Sequence, residues 1–276
     1  MRIAFVTFEY PPFIIGGAGT YAEKVTCELA KLGHEIFVFT PQIDEFHKET
    51  INVPNLKIIR VHINGRLPFK ALQFWLRLPE EIKIAEQNGK FDIIHFNGIS
   101  YWFLKKKLVN APHIVTIHHL VIDAIKSNNL STVSRFKDLC GENSLIIPWI
   151  EKRCIHSADK IIAVSNFTKE QILKNYNIEP GKTSVIYNGI DFKTRSFSEE
   201  ELEATKKGFG LDNNVGFVVE YDKYSIYKAI LKILQDGILW NDFSKNGKKL
   251  ALQELNWDKI VMQMISNVYE GCVNNT

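Results

Sequence analysis

RIAFVTF (2–8), EYPPFII (9–15), GGAG (16–19) and TYAEKVTCELAKL (20–32) follow one another at the start of the chain. Residues 2–8 form a short apolar run rich in β-branched and aromatic side chains, which reads as a buried parallel strand. Pro11 and Pro12 end it, and beyond Gly16, Gly17 and Gly19 the apolar residues Ala22, Val25, Leu29 and Leu32 recur at helical spacing. Strand, glycine-rich loop and helix in that order make an anion-receptive turn. Glycines let the backbone approach a ligand, and free N–H groups with the positive end of a helix dipole favour a phosphate.

Two other readings of the turn stay open. Gly17, Gly19 and Ala22 fit the dinucleotide fingerprint, which would make the chain a nucleotide-dependent oxidoreductase. That motif places its first glycine directly after the strand, whereas residues 9–16 intervene here, and the second strand runs into Thr40 and Pro41 where a ribose-binding acid belongs. The plainer alternative is that the glycines serve only a tight turn.

Working outward, HEIFVFT (34–40) and residues 56–63 read as further strands, followed by a helix over 72–85 that Pro79 is expected to kink or split. FDIIHF (91–96), HIVTIHH (113–119), KIIAVS (160–165) and residues 183–187 are again short and apolar. Helical patterns lie at 101–108, 146–156 and 168–176, the last capped by Ser165 or Asn166. Strand alternating with helix predicts an α/β fold with a doubly wound parallel, Rossmann-like sheet. Ligands of such sheets sit beyond the carboxyl ends of the strands, which draws attention to Tyr10, Asn97, His118, Ser165 and Asn188. His95, inside its strand, reads as a core-edge imidazole with one hydrogen bond. A zinc site from His95, His118 and His119 is disfavoured, because neighbours on a strand face opposite ways and no carboxylate spacing supports it; no metal is expected.

The chain has 276 residues, 45% of them hydrophobic, enough for one large domain or two smaller ones. A formal net charge of +3 without a basic block argues against nucleic acid as a partner. Cys27, Cys140, Cys154 and Cys272 show no CxxC pairing and read as reduced thiols, and residues 2–4 open a strand rather than a signal peptide; a cytoplasmic protein is expected. The aromatic and lysine run 101–108 permits peripheral membrane contact, although such a run is more often a solvated helix face.

Together FEYPPFIIGGAGTYAEKVTCELAKLGHEIFVFT, FDIIHFN, TIHH, IEKRCIHSADKIIAVSNFT and VIYNGID resemble the N-terminal domain of GT-B glycosyltransferases of the glycogen-synthase and glycan mannosyl- and glucosyltransferase group. The resemblance covers 1–195. It implies retaining transfer of a sugar from a nucleotide diphosphate sugar to a carbohydrate or glycolipid acceptor, with no cofactor and no obligatory metal. It matches Gly16, Gly17 and Gly19 to the family's glycine loop near the donor diphosphate and the acceptor. It matches His118 to the histidine beside the transferred sugar, the expected catalytic residue.

The second half departs from that pattern. It lacks the Gly-Arg-x-x-x-x-Lys-Gly segment, and no two glutamates lie eight positions apart. Residues 196–214 read as a linker or deletion junction, and 215–276 as a mostly helical remnant of the donor domain packed on the first. Within it a strand is expected at 217–220, helices at 224–234 and 239–255, the second interrupted by Gly247, and a last helix at 257–269 that crosses back to the N-terminal domain. The chain alone is then expected to be catalytically incomplete. A non-catalytic interaction module, dimerising through its C-terminal helices, is the other reading.

Overall fold

Apolar side chains on both faces of a strand demand cover on both sides, and the central strands here are buried along almost their whole length. The computed structural model describes residues 1–42, 51–64, 70–99, 111–126, 146–190, 216–217, 219 and 222–274. β1 (Arg2–Thr7), β2 (Glu35–Gln42), β3 (Leu56–His62), β4 (Ile93–Asn97), β5 (His113–Ile117), β6 (Lys160–Ala163) and β7 (Thr183–Val185) form one parallel sheet, ordered β3-β2-β1-β4-β5-β6-β7. The order reverses between β1 and β4, the switch point beyond whose carboxyl ends ligands of such sheets bind.

Period-two alternation sorts the strand residues into two layers. Ala4, Val6, Ile94, Phe96, Val115, Ile117, Ile161 and Ala163 join a core with α2 (Lys70–Glu86), α4 (Ile146–Ser157) and α5 (Asn166–Tyr176). The opposite set, including Phe5, Thr7, His95, Asn97 and Thr116, meets α1 (Gly17–Lys31) and the C-terminal helix, as the bonds of Thr116 to Tyr21 and of His95 to Tyr269 show. This is the expected α/β doubly wound architecture. α3 (Val121–Lys126) follows β5, and the expected helix at 101–108 lies outside the described residues.

α2 runs unbroken through Pro79, contrary to the expected split. Proline forfeits one backbone bond and crowds the preceding turn at a cost of about 3 kcal/mol. Burial of Phe74, Trp75, Leu78 and Ile82 on one helix face, about 1.5–3 kcal/mol for each fully buried side chain, outweighs it.

The chain divides into two compact units, Met1–Asn188 with Ile260–Thr276, and Gly189–Lys259. The boundary falls within α8 (Trp257–Met264), which from Ile260 belongs to the first unit and continues through a π turn (Ile265–Tyr269) into α9 (Glu270–Val273), and Ile260, Val261, Met264, Val268 and Tyr269 are buried. The final helix therefore returns to the N-terminal unit, as expected. The second unit holds α6 (Lys223–Gln235) and α7 (Gly237–Glu254), whose first turns are capped by the carboxylates of Asp222 and Asp236. Phe217 and Val219, the described residues of the expected strand, lie in no strand, and Gly247 does not interrupt α7. The apolar spacing of α6 also does not bury it: Tyr227, Ile230 and Leu234 are each more than half exposed. Periodicity reveals that a helix has an apolar face, not that something covers it.

Candidate active site

At the β1–β4–β5 edge, register alone aligns Thr7 with Asn97 and Asn97 with Thr116. Gly98, at φ +87°, turns the chain off the sheet directly after Asn97 in a conformation that suits glycine. Asn97 is buried, and its side-chain amide reaches three elements at once. Nδ2 donates to Thr7 Oγ1 (3.1 Å) and to the Ala18 carbonyl in the first turn of α1 (2.9 Å), while Oδ1 lies 2.7 Å from His118 Nε2. Thr7 Oγ1 in turn donates to the Glu9 carbonyl at 2.9 Å.

His118 is half-buried just past β5, with the Tyr21 ring edge-on at 4.9 Å. Burial, and secondarily the neighbouring His119, pushes its pKa down to about 4, so the imidazole is neutral at physiological pH. Beneath it lies a polar chain: His95 Nε2 to Thr116 Oγ1 at 2.7 Å, Thr116 Oγ1 to the Tyr21 hydroxyl at 3.3 Å, and His95 Nδ1 to the Tyr269 hydroxyl. His95 thus keeps the core position read from the sequence but has partners on both ring nitrogens. One of them comes from the returning C-terminal helix.

The glycine turn is open where expected, and partly filled where it was not. Among the described residues nothing lies within 4 Å of where a Cβ on Gly16 or Gly17 would sit, which leaves the start of α1 open on their side. Gly19 is different, since a Cβ there would meet Glu9 Cβ at 3.0 Å and Ile14 Cγ2 at 3.1 Å. The carboxylate of Glu9 accepts from the backbone N–H groups of Ile15 (3.0 Å) and Gly16 (2.9 Å). An internal anion therefore already uses part of the anticipated phosphate cradle, and Gly17 and Ala18 supply the remaining N–H groups of the first turn. Glu9→Ala is expected to cost about 1 kcal/mol, the usual worth of a helix cap, measured as a shift in urea midpoint. The loss stays modest because water reaches this half-buried loop.

The other sequence candidates are not brought to this cluster. Tyr10 is fully buried and its hydroxyl bonds Thr26 Oγ1 at 2.7 Å, tying the loop to α1. Ser165 caps α5, accepting from Thr168 N at 3.0 Å. Asn188 is exposed beyond β7 at the end of the first unit. Sequence reasoning passed over Thr7, Thr116, Tyr21 and Tyr269, although threonines inside otherwise apolar strands were a usable sign of polar partners.

A family model described as Glycosyltransferase Family 4 matches residues 15–194. The chain belongs to Glycosyltransferase Family 4. That match takes in the glycine turn, Asn97 and His118 together. An uncharacterized glycosyltransferase of Methanocaldococcus jannaschii is 28% identical over 233 residues, covering 83% of this chain and 57% of the relative. Alpha-maltose-1-phosphate synthase of Mycolicibacterium smegmatis is 24% identical over 197 residues, 69% of this chain and 45% of that protein. This Glycosyltransferase Family 4 chain spans about half the length of the curated relatives it matches. Among solved structures, sucrose-phosphate synthase of Thermosynechococcus elongatus superposes with TM-score 0.68 at 16% identity, covering 100% of both chains, a likeness of fold. Among the described residues no cluster of His, Cys, Asp or Glu is arranged to hold a metal ion, and no helix is long and apolar enough to cross a membrane.

Proposed function

We propose that this chain carries the acceptor-side half of a retaining glycosyltransferase that takes its sugar from a nucleotide diphosphate donor. The observation that carries the reading is one juxtaposition: an open glycine turn at the start of α1, joined through the Asn97 amide to a neutral histidine at the switch point of the sheet. Backbone N–H groups and a helix end suit the charge that gathers on a departing diphosphate. A neutral imidazole suits the hydroxyls of a sugar. The donor-holding elements are absent from the reading because the glutamate pair and the Gly-Arg-x-x-x-x-Lys-Gly segment are absent from the sequence.

The test pairs calorimetry with saturation-transfer NMR on the full chain. Nucleotide diphosphate sugars are expected to bind no tighter than about 1 mM, roughly −4 kcal/mol. Oligosaccharide and glycolipid-headgroup acceptors are expected to show saturation that His118→Ala abolishes without loss of folding. Micromolar donor binding would overturn the incompleteness of the chain. Failure of every sugar to bind would overturn the transferase reading and favour an interaction module.

A further inference from the structure

We propose that Asn97 is a positioning residue, which fixes His118 as the Nε2–H tautomer, leaving Nδ1 to accept a hydrogen bond from a substrate hydroxyl, and which locks that ring in register with the glycine turn. The proposal deepens the transferase reading and rests on it for the identity of the hydroxyl. The assignment follows from which groups are able to donate. The Ala18 carbonyl can only accept, so the amide edge that faces it at 2.9 Å is the NH2 group. The same edge faces Thr7 Oγ1, which accepts because its own proton goes to the Glu9 carbonyl. The other edge, 2.7 Å from His118 Nε2, is therefore the amide oxygen, and a ring nitrogen facing a carbonyl oxygen must carry the proton. In a neutral imidazole the second nitrogen is then a bare acceptor, and no other described residue is hydrogen bonded to the ring.

This changes the role expected for Asn97 from the sequence. Both amide hydrogens are committed, the oxygen is taken, and the side chain is buried, so Asn97 has little left to offer a sugar. What it does instead is mechanical. Thr7 ends β1, Ala18 lies in the first turn of α1, and His118 follows β5, so one planar group sets the spacing of the phosphate-facing turn and the sugar-facing ring. His118 meets its substrate as an acceptor, neither donor nor acid, and selects a hydroxyl over an ether or carbonyl at that point.

The experiment is 15N-edited NMR of the full chain labelled at histidine, with the His118 resonances assigned through His118→Gln. The wild-type chain is expected to show one ring proton on Nε2, protected enough from water to be seen directly. In Asn97→Ala that proton signal is lost to exchange, whereas Asn97→Asp, which keeps an acceptor before Nε2, retains it. A wild-type ring protonated on Nδ1 alone would overturn the proposal, and so would an Nε2 proton that survives in Asn97→Ala. Should Asn97→Ala fail to fold, the wild-type spectrum and Asn97→Asp still decide. A residue that merely braces α1 would leave the His118 proton where it is. The spectra contain no sugar, so this assignment and the sugar-binding test above fail independently of one another.

Discussion

Acidification is expected to unfold the N-terminal unit, with stability falling steadily as the pH drops from about 6.5 toward 4. His95 is completely buried between β1, β5 and the C-terminal helix, and burial, with His118 nearby, lowers its pKa to about 3. His118 is lowered to about 4. In the unfolded chain both would titrate near 6.5, so between the two values the unfolded state binds more protons and is favoured. The stability these neutral rings permit is therefore complete above about pH 6.5 and lost below it. At about 1.4 kcal/mol per pH unit per proton, His95 alone costs on the order of 3 kcal/mol by about pH 4, against a typical total of about 5–15. Half-buried His118 adds less. Glu151 works in the opposite direction, since burial raises its pKa and its carboxylate strain eases as the pH falls. Urea midpoints measured against pH test this. In His95→Gln the slope below about pH 6.5 should shrink by roughly one proton per molecule. A profile flat down to about pH 4 in the wild type would show that charging the rings costs nothing.

That prediction rests on a residue whose sequence context said only that it lay in a strand. FDIIHF placed His95 in β4, and alternation placed it on the same face as Asn97. Nothing in the sequence showed that the partner on Nδ1 would be Tyr269, 174 residues away. Contacts of that separation follow from the whole topology rather than from any local pattern. The seven strands, by contrast, were all legible, because a parallel strand must be apolar on both faces and such runs are short and conspicuous.

The site divides the same way. His118 and Asn97 were found by their position past strand ends, a rule that depends only on topology. Tyr10 and Ser165 satisfied the same rule and were turned elsewhere, one into the core beside Thr26 and the other onto the first turn of α5. Position past a strand end selects candidates, and the orientation of each side chain then depends on the competing backbone donors around it. Glu9 shows the converse, an acidic residue in the loop that the sequence offered no reason to turn inward, bonded to the very N–H groups that had been assigned to a phosphate. The helical apolar spacing of α6 likewise suited a core that the described residues do not supply.

The second large effect is expected at Glu151, whose replacement by alanine should cost on the order of 3 kcal/mol or more. Its side chain is fully buried in α4, and its carboxylate accepts from the N–H groups of Val121 (2.6 Å) and Ile122 (3.2 Å) and from the Tyr176 hydroxyl. These donors come from the first turn of α3 and from the end of α5, so one carboxylate ties three helices. Alanine leaves two of the donors in a dry interior and opens a cavity, and each unsatisfied group costs about 1–3 kcal/mol. Glutamine should lose less. Its oxygen still serves Val121 and the Tyr176 hydroxyl can reverse to accept from the new NH2, but that NH2 faces the Ile122 N–H, donor against donor. Urea denaturation of the two variants separates the terms: Glu151→Ala within about 0.5 kcal/mol of wild type would sink the account, since that is the range of a surface substitution. The consequence reaches the site because Val121 follows His118 by three residues, so loosening the first turn of α3 frees the segment that presents the histidine. In Glu151→Ala the Nε2 proton of His118 should therefore exchange faster than in wild type, while in Glu151→Gln it should remain protected.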